Sequence, residues 1–360
     1  MRLPQPTSRA RTTTAALLTA AVVAATAVLA GPAVTGGDDR RKDRSAVREA
    51  IADRPVSAKL HEDRRVLAIS VDGLRSSVVG ELGAAELPAL HRLLEEGAST
   101  LDARTTSERT ETLPNHTSML TSRRVDASKG GHGVTWNTDE SGRTVQGAAG
   151  EKVQSVFTKV WRAGGTTALF TGKSKFSLFK RSWGRAVQRY LLAEDPDVLV
   201  RKARRDLRKQ TRTFTFLHLS APDVAGHASG WDSEEYLDAV RTVDGWLSDV
   251  LDTVAGKPVL RKHLTILLTA DHGGSGTSHV DPTVRAHFRI PFLAWGDGVR
   301  AGDLYDLNDD YKKPGRKRPS YAKPKQPVRN AAVGNLALDL LGLGAIPRSE
   351  VDADQDLDVR

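Results

Sequence analysis

Four short apolar, β-branched runs punctuate the chain, at residues 66–71, 213–219, 264–270 and 290–295. Runs of this length without strict polar alternation predict strands buried on both faces. Between them, apolar positions recur at helical spacing over 87–96, 153–163 and 236–254, which predicts helices with one apolar face. Strands alternating with helices imply an α/β three-layer sandwich, a central mostly parallel sheet covered by helices on both faces. There is no internal repeat. At 360 residues the chain can build one such domain around a large core.

Polarity changes abruptly where the strands end. The run 66–71 stops at Asp72-Gly73, the run 264–270 stops at Asp271-His272-Gly273-Gly274, and 213–219 is followed by Asp223-Val224-Ala225-Gly226-His227. Open parallel sheets bind ligands beyond the carboxyl ends of their strands, so these polar groups are expected at one rim. Asp223 and His227, four residues apart, can meet on one side of a helical turn. Taken alone, Asp72-Gly73 reads as a strand-ending turn, and Asp223 with His227 as a helix cap and a surface histidine. Asp271-His272 is harder to explain that way. Two side chains that resist desolvation, directly after a buried strand, require partners, and a divalent cation is one. The chain has no cysteine, which excludes disulfides and thiolate metal sites and leaves carboxylate, imidazole and hydroxyl ligands. Three strand ends delivering Asp, or Asp with His, suit two zinc ions or related divalent metals.

Five motifs then fall in a recognisable order: Asp72-Gly73-Leu74-Arg75, Thr112-Leu113-Pro114-Asn115-His116, His132-Gly133-Val134-Thr135-Trp136-Asn137, the stretch 223–227, and Asp271-His272-Gly273. Together they resemble the type I phosphodiesterase and nucleotide pyrophosphatase family of the alkaline phosphatase superfamily, over roughly 66–295. The resemblance implies an alkaline-phosphatase-like fold in which Asp72, Thr112, Asp271 and His272 hold one metal, while Asp223, His227 and a third histidine hold the other. It makes Thr112 both ligand and nucleophile, and gives Asn137 the role of donating to a non-bridging phosphate oxygen. Coordination by a dication makes chemical sense of that nucleophile, since a free threonine hydroxyl is a poor one at neutral pH. Thr110 and Ser107 are nearby rivals, but neither precedes Leu-Pro-Asn-His. The family's third histidine comes long after Asp-His-Gly, whereas here only a short tail follows, with His279 and His287 in it. His279 is the choice, because it lies in the loop after Asp-His-Gly, while His287 sits just ahead of a strand. His116 and His132 are expected to be structural.

The implied reaction is hydrolysis of a phosphodiester or of a phosphoanhydride such as a nucleotide pyrophosphate, through a phospho- or nucleotidyl-threonine. The expected substrate is a small phosphorylated molecule. Rival readings are a phosphomonoesterase, a phosphonate hydrolase or phosphomutase on the same scaffold, and a non-catalytic exported binding protein. Arg75, Arg109, Arg123, Arg124, Lys173 and Lys175 lie near enough to the motifs to offer a cation to the phosphate oxygens.

Charge adds little to this picture. The 53 Lys and Arg outnumber the 44 Asp and Glu, with the excess concentrated at 201–212 and 312–329. Neither run is interleaved with aromatics or embedded in a nucleic-acid-binding module, so solvated faces are expected and no specific nucleic-acid binding. The N-terminus pairs Arg2, Arg9 and Arg11 with an Ala-rich apolar run over 14–30, which reads as a secretory signal; cleavage, leaving no stable membrane span, is preferred to an uncleaved anchor because the run is at the short limit for spanning. The expected organisation is therefore a signal peptide over 1–30, a polar linker over 31–64 with at most a short helix near 45–53, the catalytic domain over 65–347 and a tail over 348–360. An exported protein is expected. The segment 303–329, rich in Lys, Pro, Asp and Tyr, reads as a lid, a docking surface or irregular coil.

Overall fold

The computed structural model describes residues 59–360. The expected signal segment, and the linker with its short helix up to residue 58, lie outside the described residues. An eight-stranded sheet runs through the body in the order β4-β3-β5-β1-β6-β7-β2-β8. Its strands are β1 (Arg65–Val71), β2 (Ala98–Arg104), β3 (Thr167–Thr171), β4 (Arg189–Leu192), β5 (Phe214–Leu219), β6 (Leu264–Thr269), β7 (Arg289–Gly296) and β8 (Gly302–Asp303). The centre is parallel. β1 pairs with β5 from Val66↔Phe214 to Val71↔Leu219 and with β6 from Arg65↔Leu264 to Ser70↔Thr269. β7 alone runs against its neighbours β6 and β2, so the mostly parallel expectation holds.

All six residues of β5 and of β6 are buried, as their unbroken apolar sequences require. Two groups of helices cover the sheet. In one, the long helix Glu234–Ala255 packs against Ser76–Glu86, Pro88–Glu96, Pro196–Gln210 and Ala221–Ser229. In the other, Val333–Leu340 packs against Thr112–Thr121 and Val156–Arg162. The long helix begins with the Ser233 side chain accepting from the Tyr236 amide, a hydroxyl cap of the kind that stabilises by about 1 kcal/mol. No helix among the described residues is long and apolar enough to cross a membrane.

β2, β3, β4 and β8 are additions to the expected strands. β2 has an irregular burial pattern and a register shift between Thr100 and Ala103, and it carries Asp102 and Arg104, which bond each other and, through Asp102, Arg289. The last residues, set apart as a tail by composition, pack onto the body: Val351, Leu357 and Val359 are buried.

One helix breaks the usual pattern. Thr112–Thr121 is half polar, yet all ten of its residues are buried. Its polar groups are satisfied internally: Thr117 and Thr121 donate to the carbonyls four residues back, Ser118 meets His132 at 2.9 Å, and His116 meets Ser70 of β1 at 2.8 Å. Buried polar groups persist when paired in this way. The result is a rigid mount with its N-terminal residue, Thr112, at the carboxyl edge of the sheet.

Candidate active site

The carboxyl ends of β1, β5 and β6 bring the predicted carboxylates together. Asp72 follows β1 directly, Asp271 follows β6, and Asp223 lies in the first turn of the helix after β5. Gly73 makes the approach possible. It sits at φ +74°, and a Cβ there would stand 2.9 Å from the Asp223 Cα, so the close packing of these loops needs glycine. The Asp223 amide in turn donates to the Asp72 carbonyl at 3.1 Å.

His272 Nε2 lies 3.4 Å from Asp72 Oδ1, 3.2 Å from Asp271 Oδ2 and 3.8 Å from Asp223 Oδ1. Two tight groups result, Asp72 with Asp271 and His272, and Asp223 with His272 and His279. The His279 and His272 rings stack at 3.6 Å. His227 stands at the mouth, 46% exposed, with Nε2 3.5 Å from Asp223 Oδ1. His287 turns elsewhere, to the Asp281 carbonyl and the Ser275 hydroxyl.

The three gathered histidines share one arrangement. Nδ1 of His227 faces the Thr277 carbonyl at 3.1 Å, that of His272 the Gly273 carbonyl at 2.8 Å, and that of His279 the Thr110 carbonyl. A carbonyl only accepts, so each Nδ1 carries a proton and each Nε2 is the ring atom turned inward. Nε2 of His227 and of His279 face each other at 3.1 Å. The carboxylates tell the same story. Among the described residues, Asp72 Oδ1, Asp223 Oδ1, Asp271 Oδ2 and His272 Nε2 are buried without a hydrogen-bond partner, a condition that is expensive unless something positive sits among them. These donors, oxygen and imidazole nitrogen without sulfur, fit divalent metals.

Electrostatics follow from the crowding. Burial, reinforced by the Asp72 and Asp223 charges, pushes Asp271 well above the usual carboxylate range. Burial also opposes ionisation of Asp72, but the Lys173 ammonium and His218 outweigh it and hold that carboxyl well below the range. Burial lowers His272 and His279 to about 3, so both rings are neutral, as metal ligands must be.

Thr112 is buried at the N-terminus of its helix, and residues on either side of it contact the cluster. Upstream, the Thr110 hydroxyl donates to the His279 carbonyl. Downstream, the Leu113 amide donates to Asn137 Oδ1 at 2.9 Å, and His116 Nδ1 lies 2.7 Å from the Thr112 carbonyl and 3.6 Å from Asp271 Oδ2. Ser107, the other rival hydroxyl, is committed to the Pro319 carbonyl. Of the six nearby cations, Arg75, Arg109, Arg123 and Arg124 pair with Asp232, Glu111, Glu151 and Glu108. Lys173 and Lys175 turn inward. Lys173 Nζ lies 2.6 Å from Asp72 Oδ2 and 2.5 Å from Asp223 Oδ2, and Lys175 Nζ lies 3.1 Å from Asn137 Oδ1.

Two contributors were not anticipated from sequence. His218, inside β5, meets Asp72 Oδ2 at 2.9 Å; a lone imidazole in the apolar run 214–219, level with Ser70 two residues before Asp72, was the available signal. Asn330 reaches Asn115 and the carbonyls of Ala270 and Asp271, and no local pattern announces it.

A model of the type I phosphodiesterase / nucleotide pyrophosphatase family matches residues 66–333. GPI ethanolamine phosphate transferase 1 of Chaetomium globosum is 34% identical over 110 residues, which span 29% of this chain and 11% of that protein. The Saccharomyces cerevisiae enzyme of the same name is 32% identical over 113 residues, 29% of this chain and 12% of that protein. The aligned part is thus about a tenth of the length of these curated relatives. Among solved structures, murine ectonucleotide pyrophosphatase / phosphodiesterase 5 superposes with a TM-score of 0.60 at 14% identity, over 82% of this chain and 100% of that one. The lipoteichoic acid synthase LtaP of Listeria monocytogenes superposes with a TM-score of 0.53 at 13% identity, over 79% and 73%. These likenesses carry the fold, an alkaline-phosphatase-like one. The expectation of an exported protein is corrected: the curated relatives are GPI ethanolamine phosphate transferases rather than exported phosphodiesterases. That expectation came from Arg2, Arg9 and Arg11 followed by the apolar run over 14–30, all of which lie outside the described residues.

Proposed function

We propose, from the premise that this chain belongs to the type I phosphodiesterase / nucleotide pyrophosphatase family, that it cleaves phosphodiester or phosphoanhydride bonds with Thr112 as nucleophile. Two divalent metals, zinc by the nature of the donors, would be held by Asp72, Thr112, Asp271 and His272 on one side and Asp223, His227 and His279 on the other. When bound, such ions supply positive charge that lowers the hydroxyl pKa and stabilises the transition state.

The chain's own residues do the rest. The Thr112 oxygen attacks phosphorus, forming an O–P bond as the leaving-group oxygen departs with its electron pair, and the buried helix Thr112–Thr121 fixes the direction of attack. Asn137 is held by the Leu113 amide and Lys175 through its carbonyl oxygen, which leaves its amide NH2 free to donate to a phosphate oxygen. Lys175, beside it, offers a positive charge to the same oxygens. In the second half, an acceptor oxygen displaces Thr112 and regenerates the hydroxyl.

The observation that carries this reading is the convergence of three carboxylates and three imidazoles, drawn from distant segments, with Asp72 Oδ1, Asp223 Oδ1, Asp271 Oδ2 and His272 Nε2 unpartnered among the described residues. The relatives' names favour a second reading of the later half-reaction only: they are transferases, so the acceptor would be an alcohol rather than water. The test is release of chromophore from paired chromogenic mono- and diesters, with zinc present, by wild type and Thr112→Ala, with and without an added amino alcohol. Diester cleavage that depends on Thr112 supports the proposal. Equal activity in Thr112→Ala refutes it, and a new ester formed from the alcohol selects transfer over hydrolysis.

A further inference from the structure

Each of the three buried carboxylates shows the same division of labour between its oxygens. Asp271 Oδ1 is anchored by the backbone amides of Gly73 and His272, at 3.1 and 2.9 Å, while Oδ2 has no partner. Asp72 and Asp223 likewise leave Oδ1 unpartnered, but their outer oxygens are anchored by side chains. Lys173 Nζ bridges the two Oδ2 atoms at 2.6 and 2.5 Å, and His218 Nε2 adds a contact to Asp72 Oδ2 alone at 2.9 Å.

The fold builds this bridge deliberately close. β3 lies next to β5, and β5 next to β1, so Lys173, two residues beyond β3, stands behind the ends of both strands that deliver the carboxylates. Its own amide donates to the Thr171 hydroxyl at 3.1 Å, and that hydroxyl lies 3.1 Å from His218 Nδ1. The chain of contacts is self-consistent: Nε2–H of His218 donates to Asp72, so Nδ1 accepts from Thr171. Lys173 is 16% exposed at the side chain, and two ammonium protons go to carboxylates that belong to different candidate metal groups.

We propose that Lys173 is a positioning residue that ties the two candidate metal sites together, holding the outer oxygens of Asp72 and Asp223 so that their inner oxygens converge, with His218 fixing Asp72 alone. This rests on the two-metal reading above. Its consequence is an asymmetry. Losing Lys173 disturbs both sites, whereas losing His218 disturbs the one that contains Asp72.

The experiment is zinc titration of metal-depleted protein by calorimetry, with the bound zinc counted by elemental analysis after gel filtration, for wild type, K173M, K173R, H218F and H218Q. Near-UV circular dichroism reports folding in parallel. Wild type is expected to bind two ions per chain. K173M is expected to weaken both by roughly 10- to 100-fold, the usual loss when a partner of a ligating group is removed, and K173R to recover most of it. H218F is expected to keep one tight ion and weaken the other, and H218Q, which retains a donor, to recover it. If K173M does not fold, K173Q, which keeps length and a donor without charge, takes its place with the same expectation of two weakened ions. Two ions bound by K173M as tightly as by wild type, with or without a raised KM, overturn the proposal and place the ammonium on the substrate or nowhere. Tighter binding also overturns it, since the ammonium would then act only as an opposing charge. A wild type that binds fewer than two ions sinks the two-metal reading itself, a separate outcome.

Discussion

The rim beyond β1, β5 and β6 and the segment 308–329 both concentrate charge, and they do so in opposite ways. At the rim, Asp72 and Asp223 are buried against Lys173, with Asp271, His272 and His279 buried beside them. Along the segment, Lys312, Lys313, Arg316, Lys317, Arg318, Lys323 and Lys325 are exposed, and among the described residues their one carboxylate contact is Lys313 with Asp303 at 3.6 Å. The segment is held by other contacts: the Arg124 and Arg329 guanidinium groups lie over the Tyr321 ring at 4.2 and 4.3 Å, Arg318 donates to the Ser107 carbonyl and Arg104 to the Gly315 carbonyl, both at 2.9 Å. The lesson concerns which charges carry consequences. Desolvated charges in contact interact strongly and compel partners, whereas solvated ones are screened and act nearly independently.

The largest expected effect tests the rim directly. Thr112→Ala should lower kcat/KM for a diester by on the order of 10⁴-fold or more, measured on protein whose melting temperature is unchanged. A loss of less than tenfold would mean that the gathered charges serve something other than this hydroxyl.

Metal removal comes next. Zinc at about 1,000 times its Kd stabilises the folded chain by about 4 kcal/mol per site, so scanning calorimetry should show a clear fall in Tm on chelation and its recovery on reloading. Asp271→Asn should abolish the part of that response due to the site that contains Asp72 and His272, leaving about half. Neutralising the segment should not touch it, and an equal loss of response there would erase the contrast.

A pH series sharpens the picture at intermediate size. His132, buried against Ser118 outside the metal cluster, is lowered by burial from 6.5 to about 3. The unfolded chain therefore binds its proton first, so the stability it contributes is complete above about pH 6.5 and is lost as pH falls toward 3. Asp352 works the other way. Burial raises it from 3.8 to about 8, so its contribution is lost as pH rises across that window. Comparison with a variant separates the two: the Tm of metal-free wild type should fall more steeply between pH 6.5 and 4 than that of His132→Asn. Parallel curves would assign the slope elsewhere.

The smallest effect belongs to the exposed charges. The combined Lys312→Ala, Lys317→Ala and Lys323→Ala variant should shift Tm by no more than about 2 °C, read by the same calorimetry. A larger loss would show that these cations are structurally engaged.

The same distinction explains what could be read from the chain before its fold. β1, β5, β6 and β7 were legible because unbroken apolar runs leave a buried strand little alternative. β2 was not, because Asp102 and Arg104 break its apolar pattern and are reconciled by each other and by distant partners, Arg285 and Arg289 for Asp102 and the Gly315 carbonyl for Arg104. β3 is five buried residues long, too short to stand out from the helical pattern before it. Asp72, Asp223, His227, Asp271, His272 and His279 were legible as strand-end polar groups and motif members, and the fold gathers them. Lys173 was visible merely as one of six nearby cations, since nothing local tells an inward ammonium from a solvated one. His218 and Asn330 act through contacts across the sheet, and such contacts leave no trace in spacing.

In the proposed reaction, Asp72, Asp223, Asp271 and the histidines 227, 272 and 279 would cage two dications beside Thr112. Anomalous X-ray diffraction at the zinc edge, from crystals of zinc-loaded protein, tests it most directly. Two peaks are predicted, one between Asp72 Oδ1, Asp271 Oδ2 and His272 Nε2, and one beside Asp223 Oδ1 and the Nε2 atoms of His227 and His279. An absence of peaks there at saturating zinc, or peaks confined to other residues, would contradict the account.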